Sequence, residues 1–117
     1  MNNAPICNQN ILEVKQLFKD FKLGEVNVNA LRGINLNIST GLFYSINGPS
    51  GSGKSSLLHI LGCLDKPTSG EVYFKGKCIS NLKDKDLTQI RAKEIGFVFQ
   101  NFQLNPILSA IENISIA

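Results

Sequence analysis

The sequence predicts an α/β fold built around a phosphate-binding loop, with a region of antiparallel strands before it. The stretch from Gly48 to Ser55 fits the pattern G-x-x-x-x-G-K-S/T without a mismatch. A mostly apolar run of strand length enters this stretch at 42–47, and a segment with helically spaced leucines leaves it at 55–61. Strand, glycine loop and helix in this order form the context in which the pattern indicates phosphate binding.

The residue types of the loop suit a polyphosphate ligand. Glycines carry no Cβ, so the loop can turn successive backbone N–H groups inward, and the following helix adds unpaired amides and its positive dipole end. Lys54 would reach the β- and γ-phosphates, and the Ser55 hydroxyl would bind Mg²⁺, which prefers oxygen ligands. We expect the binding residues to be Gly48, Pro49, Ser50, Gly51, Ser52, Gly53, Lys54, Ser55 and Ser56.

The alternative interpretation of this stretch is a flexible glycine–serine turn before a helix. A chance match to the whole pattern in a chain of average composition is rare, on the order of one in a few hundred. The apolar runs on both sides of the match make that alternative less favourable still.

The composition is that of an ordinary globular domain. The chain has 117 residues, of which 43% are hydrophobic and 18% charged, enough for one small core. A net charge of +3, with the basic residues interrupted by acids, does not indicate a nucleic-acid partner. We expect neither a membrane span nor a signal peptide. The three cysteines share no metal-ligand spacing and are expected to be free thiols in a reducing cytoplasm: Cys7, Cys63 and Cys78.

The chain before the loop predicts strands joined by turns. Residues 1–10 are expected to be a disordered terminus. A strand is predicted at 11–18, a polar turn at 22–25 and the first arm of a hairpin at 26–29. A clearer strand at 31–38 alternates apolar residues with asparagines, which suits a sheet with one solvated face.

The helix after the loop is expected to bury one face. Its spacing predicts an apolar stripe formed by Leu57, Leu58, Leu61 and Leu64. Cys63 is expected to be a core residue on the same helix. The one histidine, His59, lies about one helical turn after Ser55 and is expected to be a packed or half-exposed helix residue, not a catalytic one.

The chain after this helix predicts a second hairpin and a polar helix. The hairpin comprises 71–74 and 77–79 around a Lys-Gly turn, and the helix covers 84–93. Asp84 and Asp86 are expected to be helix N-terminal charges. An apolar run at 95–99 predicts a strand, and the residues from 108 onward could begin a last helix.

Several segments together resemble the ATP-binding subunits of ABC transporters, from about Leu12 to the end. Within that family the sequence is most similar to bacterial lipoprotein-releasing, macrolide-export and peptide-efflux ATPases. The phosphate-loop pattern alone would also suit kinases and GTPases, and the segment from Gly96 to Gln100 separates them. The matching segments are 30–31, 48–70, 91–100, 102–104 and 112–113.

The resemblance implies roles for two residues outside the loop. Phe21 matches the aromatic residue that stacks on adenine, and phenylalanine keeps the π-face where many relatives have tyrosine. Gln100 matches the glutamine that contacts Mg²⁺ and the attacking water, a catalytic and metal-binding role. The alternatives are an ordinary apolar and an ordinary polar residue at strand ends. The loop from Asn101 to Pro106 would then meet a membrane-spanning subunit.

The resemblance also implies an architecture and partners. Residues 11–117 would form the N-terminal part of a nucleotide-binding domain, an incomplete P-loop NTPase core of ABC ATPase type with an N-terminal antiparallel β subdomain. The intact protein would bind ATP and Mg²⁺ and pair with a second ATP-binding subunit. It would lie in the cytoplasm, on the inner face of the cell membrane.

The sequence departs from the family pattern chiefly in length. Full members are considerably longer, and their signature motif, Walker B acid with its catalytic glutamate, and switch histidine would follow Ala117. Because phosphoryl transfer needs several positioned groups at once, we expect these 117 residues alone not to turn over ATP measurably. Three origins of the short chain are left open: a fragment, a frameshifted reading frame and one piece of a split protein. Leu42 and Ser56 replace the usual glutamate and threonine without removing a phosphate ligand.

Three functions compete on this basis. The first is the ATP-binding part of a transporter ATPase that powers export or extraction of a substrate through a membrane partner. The second is a non-catalytic nucleotide-binding fragment or regulatory module. The third, another P-loop kinase or NTPase, would need an acceptor site and acidic residues for which the sequence offers no candidate set. The transported substrate is not encoded in this stretch.

Overall fold

The computed structural model describes residues 9–98 and 106–116. Within these ranges one antiparallel sheet has the strand order β2-β1-β3-β4. The strands are β1 (Asn10–Leu23), β2 (Val26–Ser39), β3 (Ser69–Phe74) and β4 (Lys77–Cys78). The helices are α1 (Lys54–Leu61), α2 (Asp84–Glu94) and α3 (Ala110–Ile116).

The first two strands form one long hairpin, which confirms the predicted antiparallel region. Gly24, with a φ of +64°, lies in its turn, and Phe21 pairs with Val28 close to that turn. The strand predicted at 31–38 and the arm predicted at 26–29 are one continuous strand. β1 begins at Asn10, which the predicted disordered terminus included; residues 1–8 lie outside the described ranges.

A bulge interrupts this hairpin at Ala30. Lys19 pairs with Leu31 and Asp20 pairs with Asn29, so Ala30 has no partner residue on β1. Such an extra residue bends the strand and redirects its backbone. Ala30 is also the residue of β2 whose backbone lies against Gly53 of the glycine loop.

The core lies between the sheet and α1. Val14, Leu17 and Val72 are fully buried on the sheet, and Leu57, Ile60 and Leu61 are buried on α1. The prediction of Leu58 in this stripe was wrong, because its side chain is 46% exposed. Positions 57, 60 and 61 share one helix face, whereas position 58 is rotated about 100° from position 57. Leu64, also predicted in the stripe, lies beyond the end of α1 and is half-buried.

Cys63 is buried, as predicted, but it does not lie on the helix. The helix ends at Leu61, and Cys63 adopts a left-handed conformation with a φ of +61° in the following turn. The backbone therefore reverses at Cys63 and places its thiol in the core.

The strand predicted at 42–47 does not form, and neither do residues 95–98 of the strand predicted at 95–99, whose last residue lies outside the described ranges. Residues 42–47 and 95–98 have no strand conformation, and within the described ranges no strand pairs with either segment. A strand is defined by hydrogen bonds to a neighbour, so an apolar sequence without one stays irregular. Leu42 and Phe43 are consequently exposed.

The second hairpin and the last two helices follow the predictions closely. β3 and β4 pair around Lys75 and Gly76, and α2 carries Asp84 and Asp86 in its first turn. α3 begins with reciprocal hydrogen bonds between Ser109 and Glu112, a capping box. In the part of the chain that the structure describes, none of the helices has the length and hydrophobicity needed to cross a bilayer.

Candidate functional site

The glycine loop is a compact turn that opens onto the start of α1. The amide of Ser52 donates to the carbonyl of Pro49 at 3.2 Å, and Gly51 and Gly53 have φ values of +82° and +96°. The amide of Leu57 bonds to the carbonyl of Gly53 at 3.0 Å and closes the first helical turn. The amides of residues 54–56 therefore have no acceptor within the helix, which is the arrangement that binds anions.

Gly53 packs directly against the bulge in β2. A Cβ on Gly53 would lie 2.5 Å from the backbone oxygen of Ala30 and 3.0 Å from Cδ2 of Leu31. No side chain fits at such distances, so only glycine allows this approach. The bulge therefore fixes the start of α1 on the sheet.

The side chain of Lys54 lies along the loop. Its ammonium donates to the carbonyls of Gly48 and, at 2.9 Å, Pro49. No acidic residue occupies the first turn of α1, and Lys54 takes part in none of the ion pairs found among the described residues. The ammonium and the helix dipole thus add their positive charges at one place.

The loop serines present hydroxyls at the same end of α1. Ser55 is exposed and Ser56 is half-buried in the first turn. A Cβ on Gly48 would lie 2.8 Å from Oγ of Ser52, so the loop closes tightly on itself. The residues predicted to bind phosphate are therefore contiguous in space, with Ser55 accessible to a cation.

Phe21 lies on the same face of the sheet as the glycine loop. Lys19 and Leu31 are directly opposite each other and share a face, and Leu31 contacts Gly53. Phe21 follows Lys19 by two residues on the same strand and thus points to that face, roughly 7 Å farther along. Its ring is 39% exposed. The predicted phosphate and base contacts are therefore on one side of the molecule.

The sequence offered no reason to single out Lys19. Its ammonium pairs with Asp65 at 3.1 Å and donates to the carbonyl of Lys66 at 2.8 Å, while lying 5.1 Å from the centroid of the Phe21 ring. The only local signal is its place two residues before an aromatic residue on a strand. The contacts with 65–66 join segments more than forty residues apart, so they are visible only in the fold.

Gln100 and residues 101–105 lie outside the described residues, so their predicted roles remain predictions. The described segment that leads to them contacts α1. The ring of Phe97 lies 5.9 Å from that of His59, and a Cβ on Gly62 would be 3.0 Å from Phe97. His59 was predicted to be packed or half-exposed, but it is an exposed helix residue whose ring pairs with that of Phe97.

A polar cavity of about 370 Å³ lies away from the glycine loop, between the end of α1 and α2. Arg91 lines it and donates to the carbonyl of Cys63 at 2.6 Å. Burial raises the pKa of the Cys63 thiol, and the guanidinium of Arg91 opposes this with a smaller effect. None of the predicted site residues lines this cavity.

The model of the ABC transporter family matches residues 31–116. The chain belongs to the ABC transporter ATP-binding family. It is 52% identical over 106 residues to the uncharacterized ABC transporter ATP-binding protein MJ0796 of Methanocaldococcus jannaschii, covering 91% of this chain and 45% of that protein. It is 47% identical to the macrolide export ATP-binding/permease protein MacB of Syntrophobacter fumaroxidans, covering 89% of this chain and 14% of that protein.

Solved structures similar to this chain are also ATP-binding cassettes of ABC transporters. The dimeric structure of a post-hydrolysis state of MJ0796 bound to ADP and Pi matches with a TM-score of 0.84, over 90% of this chain and 45% of that one. The ADP conformation of the cassette MJ1267 matches with a TM-score of 0.58 at 34% identity. The predicted fold class and family are confirmed: the chain is part of an ABC ATP-binding cassette and spans less than half the length of these relatives.

Proposed function

We propose that this chain supplies the phosphate-binding part of an ATPase that powers export or extraction of a substrate through a membrane partner. The observation that carries the proposal is the glycine loop fixed on β2, with Lys54 and the open end of α1 on the same face as Phe21. This arrangement offers amides and a cation for phosphates and an aromatic ring for a base. The related MJ0796 structure is described as bound to ADP and Pi.

Each residue of the loop has a separate task in this proposal. The amides of residues 51–56 bind the phosphate oxygens once Ser52 releases the carbonyl of Pro49, and Lys54 exchanges its carbonyl contacts for the β- and γ-phosphates. Ser55 and Gln100 contact Mg²⁺, which supplies charge neutralisation on the phosphates when bound. The glycine cradle and the accessible Ser55 hydroxyl fit a metal–polyphosphate ligand. Phe21 stacks on the adenine.

The partners and location extend the proposal beyond the described residues. A second ATP-binding subunit would complete the site, in keeping with the dimeric MJ0796 structure. A membrane-spanning subunit would contact the loop after Gln100, in keeping with the ATP-binding/permease name of the MacB relatives. The assembly would lie on the cytoplasmic face of the cell membrane.

Calorimetric titration of Mg²⁺·ATP into the chain and its Lys54→Met variant tests this function. A charge-assisted contact to phosphate is worth about 1.5–3 kcal/mol, so the variant should bind roughly ten- to a hundredfold more weakly. Lys75→Met is the matched control, because Lys75 lies in the turn of the second hairpin. Its side chain is exposed and pairs with Glu94 at 2.8 Å. Equal affinities of the wild type and Lys54→Met would contradict the proposal.

A further inference from the structure

Lys19 is a fixed charge rather than a surface lysine. Its ammonium lies 3.1 Å from the carboxylate of Asp65 and 2.8 Å from the carbonyl of Lys66. Its side chain is 14% exposed, against 44% and 55% for Lys66 and Lys75, the other two lysines that form ion pairs among the described residues. An ammonium that is bound and shielded in this way has few alternative positions.

The segment that holds Lys19 is itself fastened to β1 on both sides of it. The amide of Thr68 donates to the carbonyl of Phe18 at 2.9 Å, and the amide of Asp20 donates to Oγ1 of Thr68 at 2.9 Å. The carboxylate of Asp65 also accepts the amide of Lys66 at 2.8 Å. The position of the ammonium is thus set by contacts that do not involve Phe21.

The third neighbour of this ammonium is the ring of Phe21. The Nζ atom lies over that ring, 5.1 Å from its centroid, within the distance at which a cation is attracted to an aromatic face. Phe21 is near the turn of the hairpin, where its partly exposed ring would otherwise rotate about its side-chain bonds. The cation on one face restrains the ring and leaves the opposite face for a ligand.

We propose that Lys19, held by Asp65, is a positioning residue that orients the Phe21 ring for stacking on the base of the nucleotide. This rests on the proposed function, because it requires Phe21 to receive adenine. A ring that is already oriented loses less conformational freedom when the base binds, so the gain is in affinity for the base and not for the phosphates.

The test compares two ligands, Mg²⁺·ATP and Mg²⁺·tripolyphosphate, which has the phosphates but no base. Because tripolyphosphate also lacks the ribose, the ratio of the two dissociation constants measures what the whole nucleoside contributes, the base included. Lys19→Met should weaken ATP binding about two- to fivefold and leave tripolyphosphate binding unchanged. Lys15→Met is the matched control, since Lys15 is on the same strand with its ammonium 5.2 Å from the ring centroid of Tyr73. It should change neither constant.

Two further variants separate positioning from stability. Lys19→Arg keeps a cation near the ring and the carboxylate and should restore most of the ATP affinity. Asp65→Asn releases the ammonium and should weaken ATP binding in the same direction as Lys19→Met. Denaturant unfolding of each variant gives the folded fraction, and a purely structural defect would weaken both ligands equally.

The outcomes distinguish this inference from the function on which it rests. If Phe21→Ala lowers the preference for ATP over tripolyphosphate but Lys19→Met does not, the role of Lys19 is overturned and the function stands. If the wild type binds both ligands equally well, the base role of Phe21 falls, and the inference with it. If neither ligand binds, the proposed function itself fails.

Discussion

The backbone oxygen of Ala30 occupies the space that a side chain on Gly53 would need. A Cβ on Gly53 would be 2.5 Å from that oxygen, at a residue whose φ is +96°. The contact joins the first residue before α1 to the bulge in β2. The shape of the glycine loop therefore depends on Ala30 in β2, more than twenty residues before Gly53 in the chain.

Gly53→Ala should destabilise the chain by about 2–3 kcal/mol, since it adds a steric clash to left-handed backbone strain. Gly51→Ala is the control, because Gly51 has a φ of +82° but open space around its Cβ position. That variant should lose about 1 kcal/mol from strain alone. Urea unfolding measures both, and equal losses would show that the contact with Ala30 relaxes without cost.

Gly70→Ala should be still more damaging. A Cβ there would lie 2.2 Å from the backbone oxygen of Gln16 and 2.8 Å from Cα of Leu17, where β3 crosses an irregular part of β1. We expect a loss of about 3 kcal/mol or more, because two backbones would have to separate. Gly76 has a φ of +81°, against +100° for Gly70, but open space around its Cβ position. Gly76→Ala should therefore lose far less stability. Similar unfolding midpoints for the two variants would contradict this.

The buried thiol of Cys63 should react slowly. Burial raises its pKa, so at pH 8 less thiolate is present and the sulfur is also shielded. Alkylation followed by peptide mass spectrometry should show Cys63 reacting on the order of tenfold more slowly than the partly exposed Cys78. In concentrated urea the two rates should converge. Equal rates in the folded chain would contradict the burial of Cys63.

The same pKa shift predicts how stability depends on pH. The unfolded thiol ionises first, near its ordinary value of 9.0, while the folded thiol stays neutral. Its contribution to stability is therefore complete below pH 9.0 and is lost as the pH rises through the higher folded pKa. The difference in unfolding free energy between the wild type and Cys63→Ala should shrink over that range. A difference that does not change with pH would contradict it.

Phe43→Ser should leave stability almost unchanged, within about 0.5 kcal/mol, because the ring is 96% exposed. It should reduce self-association, measured by sedimentation velocity, since Leu42 and Phe43 form an exposed apolar run. Leu17→Ala, at a fully buried position, is the contrasting variant and should cost about 2–5 kcal/mol. A large loss in Phe43→Ser would mean that the ring is packed.

Sequence reasoning succeeded where short-range chemistry decides the structure. The glycine turns at Gly24 and Gly76 and the acidic start of α2 at Asp84 are local signals, and both turns and α2 lie close to their predicted positions. β1 is the exception, because it continues to Leu23, five residues past its predicted end. The loop pattern likewise predicted the start of α1 to within one residue.

Features that depend on residues far away in the sequence could not be predicted from local patterns. The runs at 42–47 and 95–98 have the apolar composition of buried strands, but a strand needs a neighbour to exist. The contacts of Gly53 with Ala30 and of Lys19 with Asp65 join segments that no local pattern connects. The choice of Leu58 over Ile60 was an error of helical phase.

Nuclear magnetic resonance of the ¹⁵N-labelled chain during titration with Mg²⁺·ATP tests the phosphate-binding site most directly. If the loop amides bind the phosphates, the largest shifts should fall on residues 51–56, and Lys54→Met should reduce them strongly at the same ligand concentration. If saturating nucleotide leaves these amides unchanged, or shifts them equally in Lys54→Met, the glycine loop is not the phosphate site.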